Sequence, residues 1–358
     1  MTIFYPLRHL ILQENPLQAR SHWHCFWKGK VNPVIRVEKL TKNFIVRSTF
    51  PGILGALKGL FCSKKSEVTA IHGISFSVKG GERLAFIGPN GAGKSTTLKM
   101  LTGILHPTSG LIEVLGLTPW KDRQALGYKI GTVFGQRTQL WHHLPPSDTF
   151  SLLGKIYELE RPIYEKRLKE LLELFEIGPF FHKPVRQLSL GERMRCELVA
   201  SLLHNPQILF LDEPTIGLDI NAKLKIRGLL NRLSSDYGTT LFLTSHDTAD
   251  IEQVCERAIV LDKGAIILDS SLKELKKAYM KKKILTLTTD ADSLSLDLTG
   301  IKVLENKNHH FICEINLEEI SIDRVIHETL KRTSLKDVTI EDPSMEEIIR
   351  ALYGTRHG

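Results

Sequence analysis

Four short runs along the chain are almost wholly apolar: LAFI at 84–87, ILFL at 208–211, TLFL at 240–243 and AIVL at 258–261. A strand with one wet face alternates apolar and polar residues. These do not, so both of their faces are predicted to be covered, as in a mainly parallel sheet sandwiched by helices. Between the runs Leu168, Leu171, Leu172 and Phe175 recur at helical spacing. Residues 34–272 therefore read as one α/β domain, with a helical subdomain at about 140–205. Residues 273–283 hold six lysines and one glutamate, which predicts an exposed helix or linker. Beyond them, strand-like runs (ILTLTT, FICEI, VTI) alternate with helical ones (IDRVIHETLKR, SMEEIIRALY). That predicts a small C-terminal α+β accessory domain over 284–358. Residues 1–33 show no period and form an N-terminal extension.

Charge separates the ends. Residues 1–83 carry 13 Lys/Arg against 4 acidic residues, whereas 284–358 carry 8 against 14. The basic front is read either as solvated surface or as a contact with anionic membrane or nucleic acid. Within it, the stretch 48–67 spaces Ile53, Leu54, Leu57, Leu60 and Phe61 as an amphipathic helix inserted between two strands. It is expected either to pack on its own domain or to touch membrane lipid or a membrane partner. No run approaches the roughly 18–20 apolar residues of a membrane span, and the N-terminus does not read as a signal peptide. Five scattered cysteines without paired or metal-like spacing predict a reduced, cytosolic chain.

The first chemistry lies after LAFI. Gly88-Pro89-Asn90-Gly91-Ala92-Gly93-Lys94-Ser95-Thr96 follows a strand and opens a helix, the context a phosphate-binding P-loop requires. Its glycines let successive backbone N–H groups turn inward at phosphate oxygens, and the helix N-terminus adds its dipole. Lys94 is expected on the β/γ-phosphates and Ser95 on Mg²⁺. The run ILFL ends in Asp212-Glu213, 118 residues after Lys94. Asp212 is placed to hold Mg²⁺, and Glu213 to act as general base on the attacking water. ATP and Mg²⁺ are thus the expected ligands.

At this point the chain resembles the ATP-binding subunits of ABC transporters, over about residues 34–270. Phe44 stands where an aromatic ring stacks on adenine. Gln136, 42 residues after Lys94, matches the glutamine that senses the γ-phosphate, contacts Mg²⁺ and couples to the membrane subunits. Leu188-Ser189-Leu190-Gly191-Glu192 matches the signature motif, Gly217-Leu218-Asp219 the D-loop, and His246 the switch histidine. The resemblance implies a P-loop NTPase fold with a helical signature subdomain. It also implies a head-to-tail dimer that sandwiches two ATP molecules. Ser189 and the Gly191 backbone would donate to the γ-phosphate held by the partner, His246 would contact the same γ-phosphate and help orient the water, and Asp219 would belong to the nucleotide-binding set. Catalysis is then assigned to Glu213, His246, Gln136 and Lys94.

Two signature positions depart from the usual pattern. Leu190 replaces a glycine. Glu192 replaces a glutamine and brings a carboxylate towards the triphosphate, unless Arg193 or Arg195 offsets it; ATP-driven closure is expected to be altered. The surroundings of Gln136 and Trp141, the Ser-Leu-Gly-Glu-Arg-Met-Arg signature and the C-terminal extension look most like the ATPases of ABC-2 type exporters. That implies permease subunits on separate chains and a peripheral place on the cytoplasmic face of the cell (inner) membrane. The surface gripping a coupling helix would lie between Trp141 and about Tyr164.

A soluble ABC ATPase acting on DNA or ribosomes is the alternative, with the basic front as its footprint. Against it stand the single P-loop and the 94 residues between Lys94 and Ser189, which hold neither a long insertion nor paired cysteines. No nucleic-acid partner is expected. A regulatory module that dispenses with hydrolysis is disfavoured by the intact Asp212, Glu213 and His246.

Overall fold

The computed structural model describes residues 33–47, 65–135, 138–279, 282–296 and 298–354. The readings on the N-terminal extension, on positions 48–64 of the basic insert and on Gln136 lie outside the described residues. Strands β1 (Ile35–Arg47) and β2 (Lys65–Val78) flank that insert, and β3 (Arg83–Ile87) leads through the glycine-rich loop into helix α1 (Lys94–Leu101). Then come β4 (Ser109–Val114), α2 (Arg123–Gly127) and β5 (Ile130–Phe134). The helical layer holds α3 (Pro146–Ile156), α4 (Arg161–Leu174) and α5 (Leu190–Leu202), and falls within the stretch read as the helical subdomain. The chain then returns to alternation with β6 (Ile208–Asp212), α6 (Ile220–Tyr237), β7 (Thr240–Thr244), α7 (Thr248–Val254), β8 (Arg257–Asp262) and β9 (Ala265–Ser271).

The four apolar runs lie in β3, β6, β7 and β8. They fall within a six-stranded sheet ordered β5-β6-β7-β3-β8-β9, parallel except for the final antiparallel hairpin. Their residues alternate between two cores. Ala85, Ile87, Leu209, Leu211, Leu241, Leu243, Ala258 and Val260 face Leu198, Leu202, Ile226, Leu230 and Ile251 of the helices. Leu84, Phe86, Ile208, Phe210, Phe242, Ile259 and Leu261 face the opposite way, onto α1 and a three-stranded antiparallel sheet ordered β2-β1-β4. On that side Phe76, Phe86, Phe242 and Phe210 follow one another with ring centres 5.5, 5.3 and 5.5 Å apart. Each fully buried ring contributes on the order of 2–3 kcal/mol.

The lysine-rich connector is half buried in character: its helix α8 (Leu272–Tyr279) turns Leu272 and Leu275 into the first core. Its last two lysines already belong to β10 (Lys282–Thr289). With β11 (Ile301–Lys307), β12 (His310–Asn316), α9 (Ile322–Leu330) and β13 (Leu335–Glu341) this strand forms a separate antiparallel sheet, ordered β11-β12-β10-β13, with a core of its own around Leu285, Phe311 and Val325. Helix α10 (Met345–Gly354) leaves that unit and returns to the first domain, where Met345 and Ile348 join its core. The Tyr353 hydroxyl donates to the Leu261 carbonyl at 3.3 Å.

Candidate active site

The predicted chemistry gathers at the C-terminal ends of three neighbouring parallel strands, β6, β7 and β3, where open α/β sheets place ligands. From β3 the chain turns through Gly88, Pro89, Asn90, Gly91, Ala92 and Gly93, then enters α1 at Lys94. Gly93 is obligatory at its place. Its φ is +105°, and a Cβ there would lie 2.3 Å from Ile71 Cδ1. It caps α1 without a side chain, which leaves the first-turn N–H groups facing the loop. Behind the loop, the β8–β9 turn braces it through Gly264 N–H to the Ala92 carbonyl at 3.1 Å.

Lys94 bends back over this loop. Its ammonium donates to the Gly88 carbonyl at 2.6 Å and to the Pro89 carbonyl at 3.2 Å. Burial lowers its pKa, opposed by the negative charges of Glu213 and Asp212. Ser95 Oγ donates to Asp212 Oδ1 at 3.2 Å, and the same oxygen accepts from Thr244 Oγ1 at 2.6 Å. Thr96 follows, half-buried on α1. One residue past β6, Glu213 holds a left-handed backbone (φ +54°), unfavourable for a non-glycine by about 1–2 kcal/mol. Its N–H is anchored on the Thr244 carbonyl at 3.0 Å. The turn aims its carboxylate across to β7, where Glu213 Oε1 lies 3.4 Å from His246 Nδ1.

The match to known proteins decides the family. The ABC transporter family model matches residues 71–216. The linearmycin resistance ATP-binding protein LnrL of Bacillus subtilis is 30% identical over 80% of this chain and 94% of its own length. A daunorubicin resistance ATP-binding protein of Streptomyces coeruleorubidus is 30% identical over 80% of this chain and 91% of its own. The chain belongs to the ABC transporter ATP-binding family. A dimeric ATP-binding cassette solved in a post-hydrolysis state with ADP and Pi superposes with a TM-score of 0.55 at 27% identity, over 66% of this chain and 98% of that one. This ABC protein binds ATP and hydrolyses it. Among the described residues no helix is long and apolar enough to cross a membrane.

The residues read as the signature motif are held by other contacts than the cluster just described. Ser189 is exposed and caps α5 in a reciprocal capping box. Its Oγ accepts from Glu192 N–H at 3.2 Å, and its own N–H donates to Glu192 Oε2 at 2.8 Å. The Glu192 carboxylate thus turns back onto its own helix and completes the cap. Arg193 and Arg195 are not its hydrogen-bond partners, and Arg195 reaches the carbonyls of Phe175 and Glu176 instead. Gly191 is fixed by contact, since a Cβ there would lie 2.8 Å from Ala222 Cβ at the start of α6. Leu190, the other departure, leans over Gly217 of the D-loop, 3.2 Å from where a Cβ would stand. Asp219 caps α6 by accepting from Ala222 N–H at 2.9 Å. Phe44 pairs with Val68 across the β1–β2 hairpin, over a third exposed, with the Lys42 ammonium 5.2 Å from its ring centre.

Three supports escaped the sequence reading. Thr244 holds Asp212, as given above. The loop carrying His246 is gripped on both sides. Ser245 Oγ donates to Asp250 at 3.0 Å, and Asp247 accepts from Lys223 at 2.6 Å while lying 3.3 Å from Arg227. Arg227 also binds Asp250 at 2.6 Å, in a pair almost fully withdrawn from water. Thr215 Oγ1 closes the network by donating to Asp250. The third support is Glu197 of α5. An acid at 250 or 197 carried no positional signal, because apart from Ser245 its partners lie 23 to 59 residues away.

Proposed function

We propose that this chain is the energy-coupling subunit of an ABC-2 type exporter, working as a head-to-tail dimer with two ATP molecules at its interface. The observation that carries the reading is an asymmetry. Lys94, Ser95, Asp212, Glu213 and His246 converge at one sheet edge, while Ser189 is exposed and bonded to its own helix. Half of a nucleotide site is assembled; the other half is presented outward for a second copy.

Lys94 and the first-turn amides of α1 receive the phosphates, and Phe44 offers its ring to adenine. The oxygen donors of Ser95 and Asp212, 3.2 Å apart, suit Mg²⁺, a hard cation that takes one or two protein oxygens beside phosphate and water. Bound there, the ion would neutralise charge on the β- and γ-oxygens, with Gln136 nearby in the family pattern. Glu213 takes a proton from water as its oxygen attacks the γ-phosphorus in line and the bond to the β-phosphate oxygen breaks. His246, beside Glu213, helps orient that water. The partner's signature then supplies the remaining donors. Ser189 Oγ already accepts from Glu192 N–H, so its hydroxyl proton is free to go to a γ-phosphate oxygen. Closure and reopening of the dimer would drive the permease between two states.

Export is supported by the resistance functions in the names of both relatives above, since removal of a toxic compound confers resistance. The stretch from Trp141 to Tyr164 supports a permease contact, because Trp141, Leu144, Ile156 and Ile163 all stand exposed. The site of action is then the cytoplasmic face of the membrane. Affinity purification from mildly solubilised membranes tests the reading. A polytopic permease retained with the chain, and lost on replacing Trp141 and Leu144 by aspartate, is the expected result. Recovery of the chain without any polytopic protein would overturn it.

A further inference from the structure

Glu197 is a glutamate in the interior of α5, only 5% exposed, on the helix whose N-terminus carries Ser189. A carboxylate at such a depth costs stability unless its oxygens are satisfied. Thr138 Oγ1 donates to one oxygen, and Gln139 N–H donates to the other at 3.3 Å. The Gln139 side-chain amide in turn donates to the Glu197 carbonyl at 3.2 Å. Burial raises the pKa of Glu197, opposed by these hydrogen bonds and by the charge of Arg193. Three contacts thus tie one residue of the signature helix to the two residues that follow Gln136 and Arg137.

The other end of that stretch is tied as well. Phe134 pairs with Asp212 in the β5–β6 ladder, and Gly135 N–H donates to the Asp212 carbonyl at 2.9 Å. Gly135 is thus fixed to the strand bearing Asp212, and Thr138 and Gln139 to the helix capped by Ser189. We infer that Glu197 is a positioning residue, a latch on Thr138 and Gln139 that holds the chain following Gln136 on the signature helix. A hydrophobic residue would fill the same place in α5 without binding the segment. The latch would let a change at the cis γ-phosphate reach the surface offered to the partner, eight residues up the helix.

This inference rests on the reading of Gln136 as the γ-phosphate sensor, and the test separates the two. The proteins to compare are wild type, Gln136→Ala, Glu197→Ala, Glu197→Gln, Thr138→Ala and the double variant Gln136→Ala/Glu197→Ala. Each is assayed for kcat, for the Kd of a fluorescent ATP analogue and for Tm. Glu197→Ala is expected to lower kcat about tenfold through misplacement of the segment, with the Kd within about twofold because the P-loop is untouched. Thr138→Ala, a change at an exposed position that preserves the fold, should reproduce the loss. Glu197→Gln, which keeps one acceptor, should recover part of it. In the double variant Glu197→Ala should add little to Gln136→Ala, since it acts through that residue. A Gln136→Ala protein with wild-type kcat would defeat the sensor reading, and the latch with it. A slow Gln136→Ala beside folded Glu197→Ala and Thr138→Ala proteins at wild-type kcat would overturn the latch alone. Full additivity in the double variant would do the same.

Discussion

The P-loop cluster and the signature segment proposed to complete it are built by opposite means. On the P-loop side three of the described groups are held by the chain itself: Lys94 by two carbonyls, Asp212 by Ser95 and Thr244, and the His246 loop by the Arg227–Asp250 pair. On the signature side Ser189 is secured only by a cap within its own helix, and faces outward. A preorganised half meets charge without rearrangement, which is how electrostatic catalysis works in a site that excludes water. In the proposed dimer the outward half would gain such an enclosure from the second copy. In the proposed dimer, control over hydrolysis would belong to association, with chemistry stored on one side and permission arriving from the other.

Substitutions on the two sides should break the site differently. The largest effect is expected at Glu213. Glu213→Gln removes the general base and should lower kcat by about 10²–10⁴-fold while the Kd for ATP stays near wild type in a filter-binding assay. Ser189→Ala withdraws one donor to a charged oxygen, a loss of about 1.5–3 kcal/mol or roughly 10–100-fold in kcat. Its ATP affinity as a monomer should not change, and a weakened monomer would place Ser189 in the cis half. Gly191→Ala sets a methyl 2.8 Å from Ala222 Cβ, so urea unfolding should report a loss of about 1–3 kcal/mol from overpacking.

Smaller effects probe the supports. His204 Nε2–H donates to the Ile130 carbonyl at 2.9 Å and the ring stacks on Tyr157, and burial lowers its pKa to about 4. The unfolded chain binds that proton first. Stability should be full above pH 6.5 and fall as the pH drops from 6.5 towards 4, by at most about 1.4 kcal/mol per pH unit. His204→Gln should flatten that part of the stability–pH curve. Last comes Glu192→Gln. Glutamine can serve the same capping box, so α5 should lose no more than about 0.3–1 kcal/mol of charge–dipole stabilisation. With the negative charge gone from the phosphate-facing end, ATP-driven dimerisation should tighten. Unchanged dimer affinity would mean that the cap already screens the carboxylate.

The sequence was informative where function rests on short stretches of chain. The uninterrupted LAFI and ILFL runs declared strands covered on both faces, and each run delivered its chemistry one residue beyond its end, at Gly88 and Asp212. The amphipathic spacing from Leu168 to Phe175 likewise gave α4, with Leu171 and Phe175 buried. What stayed hidden was long-range. Thr244 is one more threonine in a strand until β7 pairs beside β6 and sets its hydroxyl on Asp212. Strand β11 went unread because its residues are nearly all exposed and carry little apolar signal. The return of α10 to the first core was equally invisible: its apolar face shows that it packs, not on what. At Glu192 the partner was legible in the Ser189-x-x-Glu192 spacing of a capping box, a signal that the family match of the same residues obscured.

The most direct test of the divided site is sedimentation equilibrium of the Glu213→Gln protein with and without MgATP. The account predicts a monomer without nucleotide and a stable dimer with it, and a return to monomer when Ser189→Arg is added although ATP still binds. A Glu213→Gln protein that binds ATP yet remains monomeric would contradict the account, as would a dimer indifferent to Ser189→Arg.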